Sequence, residues 1–411
     1  MNILLDFVTV KYRTGAGEYQ RRIVYSLIEF LNNNNNQDIN IFAVYNSNNG
    51  IAYEDLIESN LTSLYSIQYI DISRQSIVDI VHKYKISAFF IACAQYWGGC
   101  VDLKNIDCKV IVVIHDLAYE ELYHNQLYYY FKFLNKKYFV NLNKSKNFLV
   151  NKILNNYKTL KLARWLFQTR NSGVYESGLE YIKPTLELIK NNHNVQVITV
   201  SNYTKNALVY YYNVPQERIR VLYSPERLFT TNHNIENKIL NEIIKQKKKY
   251  WLLLFANRNT KNADKAIEAF NRYSETVNDE YLLVVGGNNI VHNPNIYNVE
   301  YLSDSDYNNA LKNCHALIYP SFIEGFGYPP VEAMKYGKPV ISSNTTSMPE
   351  ILGDSVIYFS PLYTCEIYYA MTKLTMDNYD KYCNLSAKKY DEILKKQEND
   401  LKQLINLIIE E

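Results

Sequence analysis

Short apolar runs alternate with amphipathic segments along most of this chain. The runs are rich in Val, Ile and Leu and show no polar face, which is typical of strands covered on both sides. The segments between them space their apolar residues as a helix does, for example Ile23, Leu27 and Leu31. Strands that alternate with helices predict parallel α/β sheets. The predicted strands are 2–8, 39–45, 67–70, 88–92, 109–114, 194–200, 219–223, 251–255, 281–285, 316–319, 340–342 and 356–360.

Chain length divides this pattern into two domains. At 411 residues the chain exceeds what one ordinary hydrophobic core supports. Polar sequence with one amphipathic helix, at 226–249, separates two α/β units and predicts a linker. We therefore expect a first domain at 1–228, a second at 229–385 and a C-terminal helix at 386–411. An insertion at about 122–192 is expected to interrupt the first domain.

Composition narrows the classes of function. The balance of 44 basic to 42 acidic residues argues against a nucleic-acid-binding protein. Six cysteines without a Cys-x-x-Cys pair fit a reduced, cytoplasmic protein. The N-terminus, MNILLDFVTV, lacks the basic start of a signal peptide and instead predicts a strand. No continuous apolar stretch is long enough to predict a membrane-spanning helix.

A basic and aromatic segment stands apart from the rest of the chain. Residues 122–175 contain no Asp or Glu, and their Lys and Arg residues are interleaved with Tyr, Phe and Trp. This composition suits an anionic membrane surface, and the protein would then be peripheral on the inner face of the membrane. It equally suits solvated helices whose aromatic residues are core. Single-stranded nucleic acid would also fit the segment, but it is the weakest of the three interpretations.

The most informative stretch is 316–350. An apolar strand at 316–319 leads into a loop with Gly325 and Gly327, where backbone can approach a ligand closely. Pro329 and Pro330 then mark the start of a helix. A strand, a glycine loop and a helix N-terminus in this order present free N–H groups and a positive dipole end to an anion.

Two glutamates frame that loop. Glu324 stands at its start and Glu332 is predicted in the first turn of the helix. Either one alone could be a solvated loop residue or a partner of the helix dipole. The pair around a Gly-Phe-Gly-Tyr-Pro-Pro turn favours a ligand with both phosphate and sugar parts, because carboxylates accept hydrogen bonds from hydroxyls.

The segment EGFGYPPVEAMKYGKPVISSNTTSMPEILGD resembles the donor-binding segment of the family 4 retaining glycosyltransferases, whose motif is two glutamates separated by seven residues. The resemblance implies an α/β fold of two Rossmann-like domains facing across a cleft (GT-B), with the final helix crossing back to the first domain. It implies retaining transfer of a hexose from a nucleotide diphosphate sugar to a hydroxyl of a glycan or lipid-linked acceptor. The setting would be assembly of bacterial surface polysaccharide or glycoconjugates, with no metal and no other cofactor.

The resemblance also assigns roles around the motif. It implies that Glu332 binds the donor ribose and that Glu324 binds the donor sugar, with a chemical role for Glu324 left open. Arg258 and Lys261, just after the strand at 251–255, match the family's cations for the diphosphate. The other phosphate-binding groups would be the backbone N–H groups of Gly325, Phe326, Gly327 and Tyr328.

Three further sites are expected at strand ends, where ligands bind in open α/β sheets. His115 follows the strand at 109–114; a lone histidine is usually structural, but HDLAYEELY resembles the family's His-Asp segment, so His115 is predicted to reach the donor sugar. Gly286 and Gly287 would form a loop facing the nucleotide. Gly15 and Gly17 would form a loop on the acceptor side, although a plain tight turn explains them equally well without the resemblance.

Two alternatives compete with glycosyl transfer. One is a nucleotide-sugar epimerase of the same fold, which would change free donor without an acceptor. The other is a non-catalytic partner that binds nucleotide sugar or anionic lipid. The Ser303-Asp304-Ser305-Asp306 stretch is predicted to cap a helix rather than to bind metal.

Overall fold

The computed structural model describes most of the chain outside the predicted insertion. The described residues are 1–8, 15–34, 38–47, 66–94, 106–118, 120–121, 185–187, 189–228, 234–287 and 293–410. The basic and aromatic segment at 122–175, and with it the predicted membrane contact, lies outside them.

Two parallel sheets form the framework of the described residues, which confirms the α/β class. The first sheet has the strand order β3-β2-β1-β4-β5-β6-β7 and the second the order β10-β9-β8-β11-β12-β13. The strands of the first sheet are β1 Asn2–Asp6, β2 Asn40–Tyr45, β3 Ile67–Asp71, β4 Ala88–Ile91, β5 Lys109–Ile114, β6 Val195–Thr199 and β7 Ile219–Val221. Those of the second are β8 Lys249–Leu253, β9 Glu280–Val285, β10 Ile296–Val299, β11 Ala316–Tyr319, β12 Val340–Ser343 and β13 Ile357–Phe359.

Helices connect many of the strands in the described part of the chain. Within the described part of the chain, none of them is long and apolar enough to span a bilayer. The helices are α1 Gly15–Asn33, α2 Ile77–Lys83, α3 Asn202–Tyr212, α4 Lys238–Lys245, α5 Ala263–Tyr273, α6 Asp304–Asn313, α7 Tyr328–Lys335, α8 Met348–Leu352, α9 Thr364–Lys373 and α10 Met376–Ile409.

The strand order sets where ligands can enter. In each sheet the order reverses next to the first strand of the unit: between β1 and β4 in the first sheet, and between β8 and β11 in the second. Connections leave such a pair in opposite directions, so a crevice opens beyond the carboxyl ends of the two strands. The loops that follow β8 and β11 are therefore the expected binding loops of the second domain.

The long helix α10 links the two domains. The Gln397 side-chain amide donates to the Ser224 carbonyl (2.6 Å), and the Asp400 carboxylate accepts from the Tyr223 amide (2.8 Å). Near its end, Lys109 of β5 donates to the Glu410 carbonyl (2.8 Å). The helix thus begins in the second domain and ends against the first.

Side chains cap the start of several described helices, and the cap at Ser303 is the one that the sequence analysis predicts. The Ser201 hydroxyl accepts from the Thr204 amide at the start of α3, and the Ser303 hydroxyl accepts from the Asp306 amide at the start of α6. Asp306 in turn accepts from the backbone of Glu236 (2.8 Å). The capping interpretation of Ser303 is therefore confirmed.

A histidine beside β11 packs against two aromatic rings of the second domain. His315 lies edge-on to the Trp251 ring (5.3 Å between centroids) and stacks on Tyr379 (4.6 Å), and its Nε2 has no partner among the described residues. Burial lowers the pKa of His315 to about 4, and nearby Lys249 acts in the same direction. In an unfolded chain a histidine has a pKa of about 6.5.

We therefore expect stability to fall as the pH drops from about 6.5 towards 4, by about 1 kcal/mol per pH unit for this group. As the pH falls, the unfolded chain takes up this proton before the folded protein does, which lowers the free energy of unfolding. Above about pH 6.5 the histidine is neutral in both states, so the full stability is present there. His315→Gln should flatten the dependence in urea unfolding at pH 7, 6 and 5. The exposed His193 provides the matched control, since His193→Gln should leave the slope unchanged. An unaltered slope in the His315 variant would contradict the assignment.

Candidate active site

The loops that follow β8 and β11 are joined by hydrogen bonds. Phe322 donates its amide to the Thr260 carbonyl (2.9 Å), and the Ser321 hydroxyl donates to the same oxygen (3.2 Å). The buried Asn262 side-chain amide donates to the carbonyls of Pro320 (3.3 Å) and Pro361 (2.8 Å). The two loops form one surface at the point where the strand order reverses.

Lys261 and Glu324 form an ion pair on this surface. Their side chains are only 12% and 13% exposed, so the pair is far less hydrated than an ordinary surface pair. The Lys261 ammonium also donates to the Tyr319 hydroxyl (3.1 Å). Backbone contacts fix Glu324 in turn: its amide donates to the Thr346 hydroxyl (3.1 Å), and its carbonyl accepts from the Ser347 hydroxyl (2.9 Å). The two residues that the sequence predicts for diphosphate and sugar therefore touch.

Arg258 lies beside this pair. Its guanidinium is 5.4 Å from the centre of the Phe255 ring, and the Lys261 ammonium is 5.9 Å from the same centre. Aromatic faces attract cations, so Phe255 holds two positive side chains near each other. The Arg258 residue is exposed, which leaves it able to reach an anionic ligand.

The glycine loop (residues 324–328) presents backbone donors at the start of α7. Gly327 precedes that helix with a φ of +85°, a conformation that favours glycine. Within the described residues, no acceptor contacts the amides of Gly325, Phe326 or Gly327. These N–H groups and the positive end of the helix dipole suit an anion held between the loop and Lys261.

His115 meets the glycine loop from the first domain. A Cβ placed on Gly325 would lie 1.9 Å from the His115 carbonyl oxygen, so the two backbones are in direct contact. The His115 Nε2 is 2.9 Å from the Ala92 carbonyl, which can only accept, so this nitrogen carries the proton. Burial lowers the pKa of His115, which favours the neutral ring with Nδ1 as an acceptor. The Tyr19 ring packs edge-on against the imidazole (4.8 Å).

Glu332 lies in the interior, under the glycine loop. The residue is 4% exposed, and the Tyr307 hydroxyl donates to its Oε2 (2.5 Å). The Arg227 guanidinium donates to its Oε1 (3.3 Å). Burial raises the pKa of Glu332, while Arg227 and the Tyr307 hydrogen bond oppose that effect. Tyr307 also packs near Phe255 (6.4 Å), so Glu332 is connected to the cations through aromatic rings.

Arg227 is a site residue that the sequence does not reveal. It lies in the segment between β7 and α4, and no neighbouring residue in the sequence marks it as special. In the structure its side chain is 13% exposed and lies between Glu332 of the second domain and Glu18 of the first (4.0 Å). The only clue in the sequence is that a buried carboxylate needs a cation, and the sequence does not say which one.

Of the two predicted glycine loops, the one at Gly286 and Gly287 lies beside the candidate site, whereas the one at Gly15 and Gly17 is part of a helix. Gly286 follows β9 with a φ of +88°, and a Cβ there would lie 3.2 Å from the Asn257 side chain, beside the loop that carries Arg258. Gly287 follows directly. Gly15 and Gly17 are not in a loop: they form the first turn of α1, so the predicted loop is wrong at these positions.

No group of three or more His, Cys, Asp or Glu side chains that could hold a metal gathers in the described part of the chain. No disulfide bond joins the cysteines of the described residues. Cys93, Cys108 and Cys314 are buried, Cys383 is half-buried and Cys365 is exposed.

Parts of this chain match known proteins in sequence. Residues 235–361, which contain Arg258, Lys261 and the glycine loop, match the family model described as Glycosyl transferases group 1. The chain is 31% identical over 178 residues, 40% of its length, to the O-antigen chain mannosyltransferase RfbU of Salmonella typhimurium, 46% of which is covered. It is 44% identical over 61 residues, 15% of its length, to the O-antigen chain mannosyltransferase B of Escherichia coli, 16% of which is covered. The chain thus spans less than half the length of these relatives.

Solved structures match over the whole chain. A glycosyltransferase from Rickettsia africae superposes with a TM-score of 0.60 at 14% identity, covering 100% of this chain and 98% of that one. WaaG, a glycosyltransferase involved in lipopolysaccharide biosynthesis, superposes with a TM-score of 0.61 at 12% identity, with full coverage of both chains. Anabaena HepE, solved with UDP and glucose, superposes with a TM-score of 0.59 at 11% identity, covering 98% of this chain and 99% of that one. At these identities the likeness concerns the fold, which is GT-B as predicted.

Proposed function

We propose that this GT-B protein, whose second domain carries the glycosyl transferases group 1 match, transfers a hexose from a nucleotide diphosphate sugar to a hydroxyl of a glycan or lipid-linked acceptor. The observation that carries the proposal is the Lys261–Glu324 pair, which lies beside the open amides of the glycine loop and across from His115. The proposed setting is assembly of a bacterial surface polysaccharide, which the names of the matching relatives support.

The diphosphate would bind between the cations and the loop. Departure of the nucleoside diphosphate develops negative charge on its terminal phosphate, and preorganised donors aimed at that charge lower the barrier. Lys261, Arg258 and the amides of 325–328 are the donors available. With these groups supplying the positive charge, the proposed reaction needs no divalent metal.

The sugar would bind between the two domains. Glu324 offers a carboxylate to the sugar hydroxyls once Lys261 turns to the phosphate, and the neutral His115 offers Nδ1 as a further acceptor. Glu332 would accept from the ribose hydroxyls. The transfer is proposed to retain the anomeric configuration, by front-face attack or by double displacement through an enzyme carboxylate.

Product analysis tests the proposal directly. The protein is incubated with nucleotide diphosphate sugars, with and without polysaccharide acceptors, and nucleoside diphosphate and sugar products are separated by chromatography. Mannose donors come first, because the matching relatives are named mannosyltransferases. Release of nucleoside diphosphate that depends on acceptor supports transfer. Conversion of donor sugar without acceptor would support an epimerase, and binding without either reaction would support a non-catalytic partner.

The basic and aromatic segment at 122–175 is proposed to bring the enzyme to an anionic membrane surface, where lipid-linked acceptors lie. Each Lys or Arg near such a surface contributes on the order of 1 kcal/mol, and salt screens the attraction. Flotation with anionic liposomes should recover the protein with the vesicles at low salt and release it at high salt. Absence of binding at low salt would remove this part of the proposal.

A further inference from the structure

A buried cluster joins the two domains beneath the candidate active site. This junction cluster consists of Glu18 in α1, Arg227 between the sheets, Tyr307 in α6 and Glu332 in α7. The three charged side chains are 6%, 13% and 5% exposed. Arg227 donates to the Glu332 Oε1 (3.3 Å) and lies 4.0 Å from the Glu18 Oε2. One cation therefore serves one carboxylate from each domain.

Tyr307 completes the cluster on the side of the second domain. Its hydroxyl donates to the Glu332 Oε2, and its ring lies 5.5 Å from the Arg227 guanidinium carbon. Each oxygen of Glu332 thus has one donor, and each keeps a lone pair for a further donor. These two donors fix the rotation of the Glu332 carboxylate. A carboxylate that accepts from both hydroxyls of a vicinal diol, such as a ribose, needs such a fixed orientation.

The charge of Glu332 depends on its surroundings. Burial favours the neutral acid and raises the pKa of Glu332, and Glu18 acts in the same direction. Arg227 is the largest influence in the opposite direction, followed by the Tyr307 hydrogen bond. A protonated acid is a weaker acceptor than a carboxylate for ligand hydroxyls. The titratable and charged groups around Glu332 are Arg227, Tyr307, Glu18, Tyr319, Tyr328 and Tyr336.

We infer that Arg227 is a positioning residue for the donor: it holds the Glu332 carboxylate for the ribose hydroxyls and connects that contact to α1 through Glu18. The inference rests on the proposed function, since it takes Glu332 to meet a ribose. Arg227 belongs to the segment that joins the two sheets, between β7 and α4. A displacement of one domain against the other changes its distance to one of the two carboxylates, so ribose binding and domain arrangement are coupled.

The test compares nucleotides with and without ribose hydroxyls on the full chain. UDP, GDP, ADP and CDP are each titrated against their 2′,3′-dideoxy forms by calorimetry. For the nucleotide that binds wild-type protein, the ribose form should bind at least about tenfold more tightly than the dideoxy form, because hydrogen bonds to a charged acceptor are strong. The ratio of the two dissociation constants is the ribose preference. In Arg227→Gln the ribose preference should fall to within about twofold, while Arg227→Lys should keep an intermediate preference.

Control variants separate positioning from general damage. Lys335→Met breaks the ion pair between Lys335, at the end of α7, and Glu226, in the linker (2.7 Å). This pair does not include Glu332, so the variant should keep the full ribose preference. Arg227→Gln leaves the buried Glu332 carboxylate without its cation, which is costly for folding, whereas Glu18 keeps Arg21 at 3.9 Å. The double variant Arg227→Gln with Glu18→Gln also removes the second buried carboxylate near Glu332 and should show the same loss of preference.

The outcomes distinguish the two proposals. If none of the four nucleotides binds the wild-type protein, the proposed function fails. If a nucleotide binds and folded Arg227 variants discriminate ribose from dideoxyribose as well as wild type does, the inference about Arg227 fails alone. The pH adds a second readout: lowering it from 8 to 6 should weaken ribose binding more in Arg227→Gln than in wild type, because the loss of Arg227 favours protonated Glu332. An equal pH response in both would also overturn the inference.

Discussion

Lys261→Ala is expected to lower kcat for sugar transfer by at least about 100-fold, the usual effect of removing one preorganised donor from a transition state. The ammonium is held by Glu324 and Tyr319 at a fixed place and is 12% exposed, so its charge acts with little screening by water. The measurement is release of nucleoside diphosphate at saturating donor and acceptor. A fall in kcat at unchanged KM for donor would mark a contact made in the transition state.

A neighbouring lysine provides the control for this prediction. Lys265 lies four positions further along, and its ammonium donates to the Leu362 carbonyl at the surface (2.8 Å). Lys265→Ala removes the same charge from the same side of the domain and should keep kcat within about threefold of wild type. If folded Lys261→Ala turned over at a rate close to wild type, Lys261 would not be a diphosphate ligand.

Gly325→Ala is expected to reduce kcat/KM by about 100-fold or more, because a shift of about 1 Å between reacting groups has that effect. The added methyl would lie 1.9 Å from the His115 carbonyl oxygen and 2.7 Å from its carbon. Both atoms are backbone, so no change of rotamer relieves the contact. The glycine loop and the His115 loop must separate, and the donor sugar would lose its fixed place between Glu324 and His115.

Gly15→Ala adds the same methyl where the nearest atom, in the Tyr328 ring, is 4.0 Å away. This control should leave the unfolding temperature unchanged or slightly raised, since alanine favours helix more than glycine does. Gly325→Ala should lower it, as overpacking usually costs about 1–3 kcal/mol. Wild-type kcat/KM in Gly325→Ala would mean that the contact between the two loops has no part in catalysis.

Most strands of this fold can be predicted from the sequence, and the exceptions have physical reasons. Buried parallel strands such as β5 and β11 are continuous apolar runs, and their bounds are predicted to the residue. The edge strand β10 is missed because only its two end residues, Ile296 and Val299, are buried, so it lacks an apolar run. The start of α1 is predicted too late because its first turn contains two glycines, which usually indicate a loop.

Some residues of the candidate site can likewise be predicted from the sequence, and others cannot. Glu324, Lys261 and the glycine loop can be predicted because local spacing and strand ends define them. Arg227 cannot be, because its role depends on Glu332, 105 positions away, and on Glu18 in the other domain. The contact between Gly325 and His115 likewise depends on how the two domains are arranged, and no local pattern contains that information.

The most direct test of the central claim is the preference of the protein for a diphosphate over a monophosphate. Calorimetric titration of wild type and Lys261→Ala with a nucleoside diphosphate and the matching monophosphate gives that preference for each protein. A charge-assisted contact of about 1.5–3 kcal/mol predicts that wild type favours the diphosphate about 10- to 100-fold and that the variant loses most of this factor. An equal preference in both proteins would contradict the claim that Lys261 and the glycine loop hold the terminal phosphate of the donor.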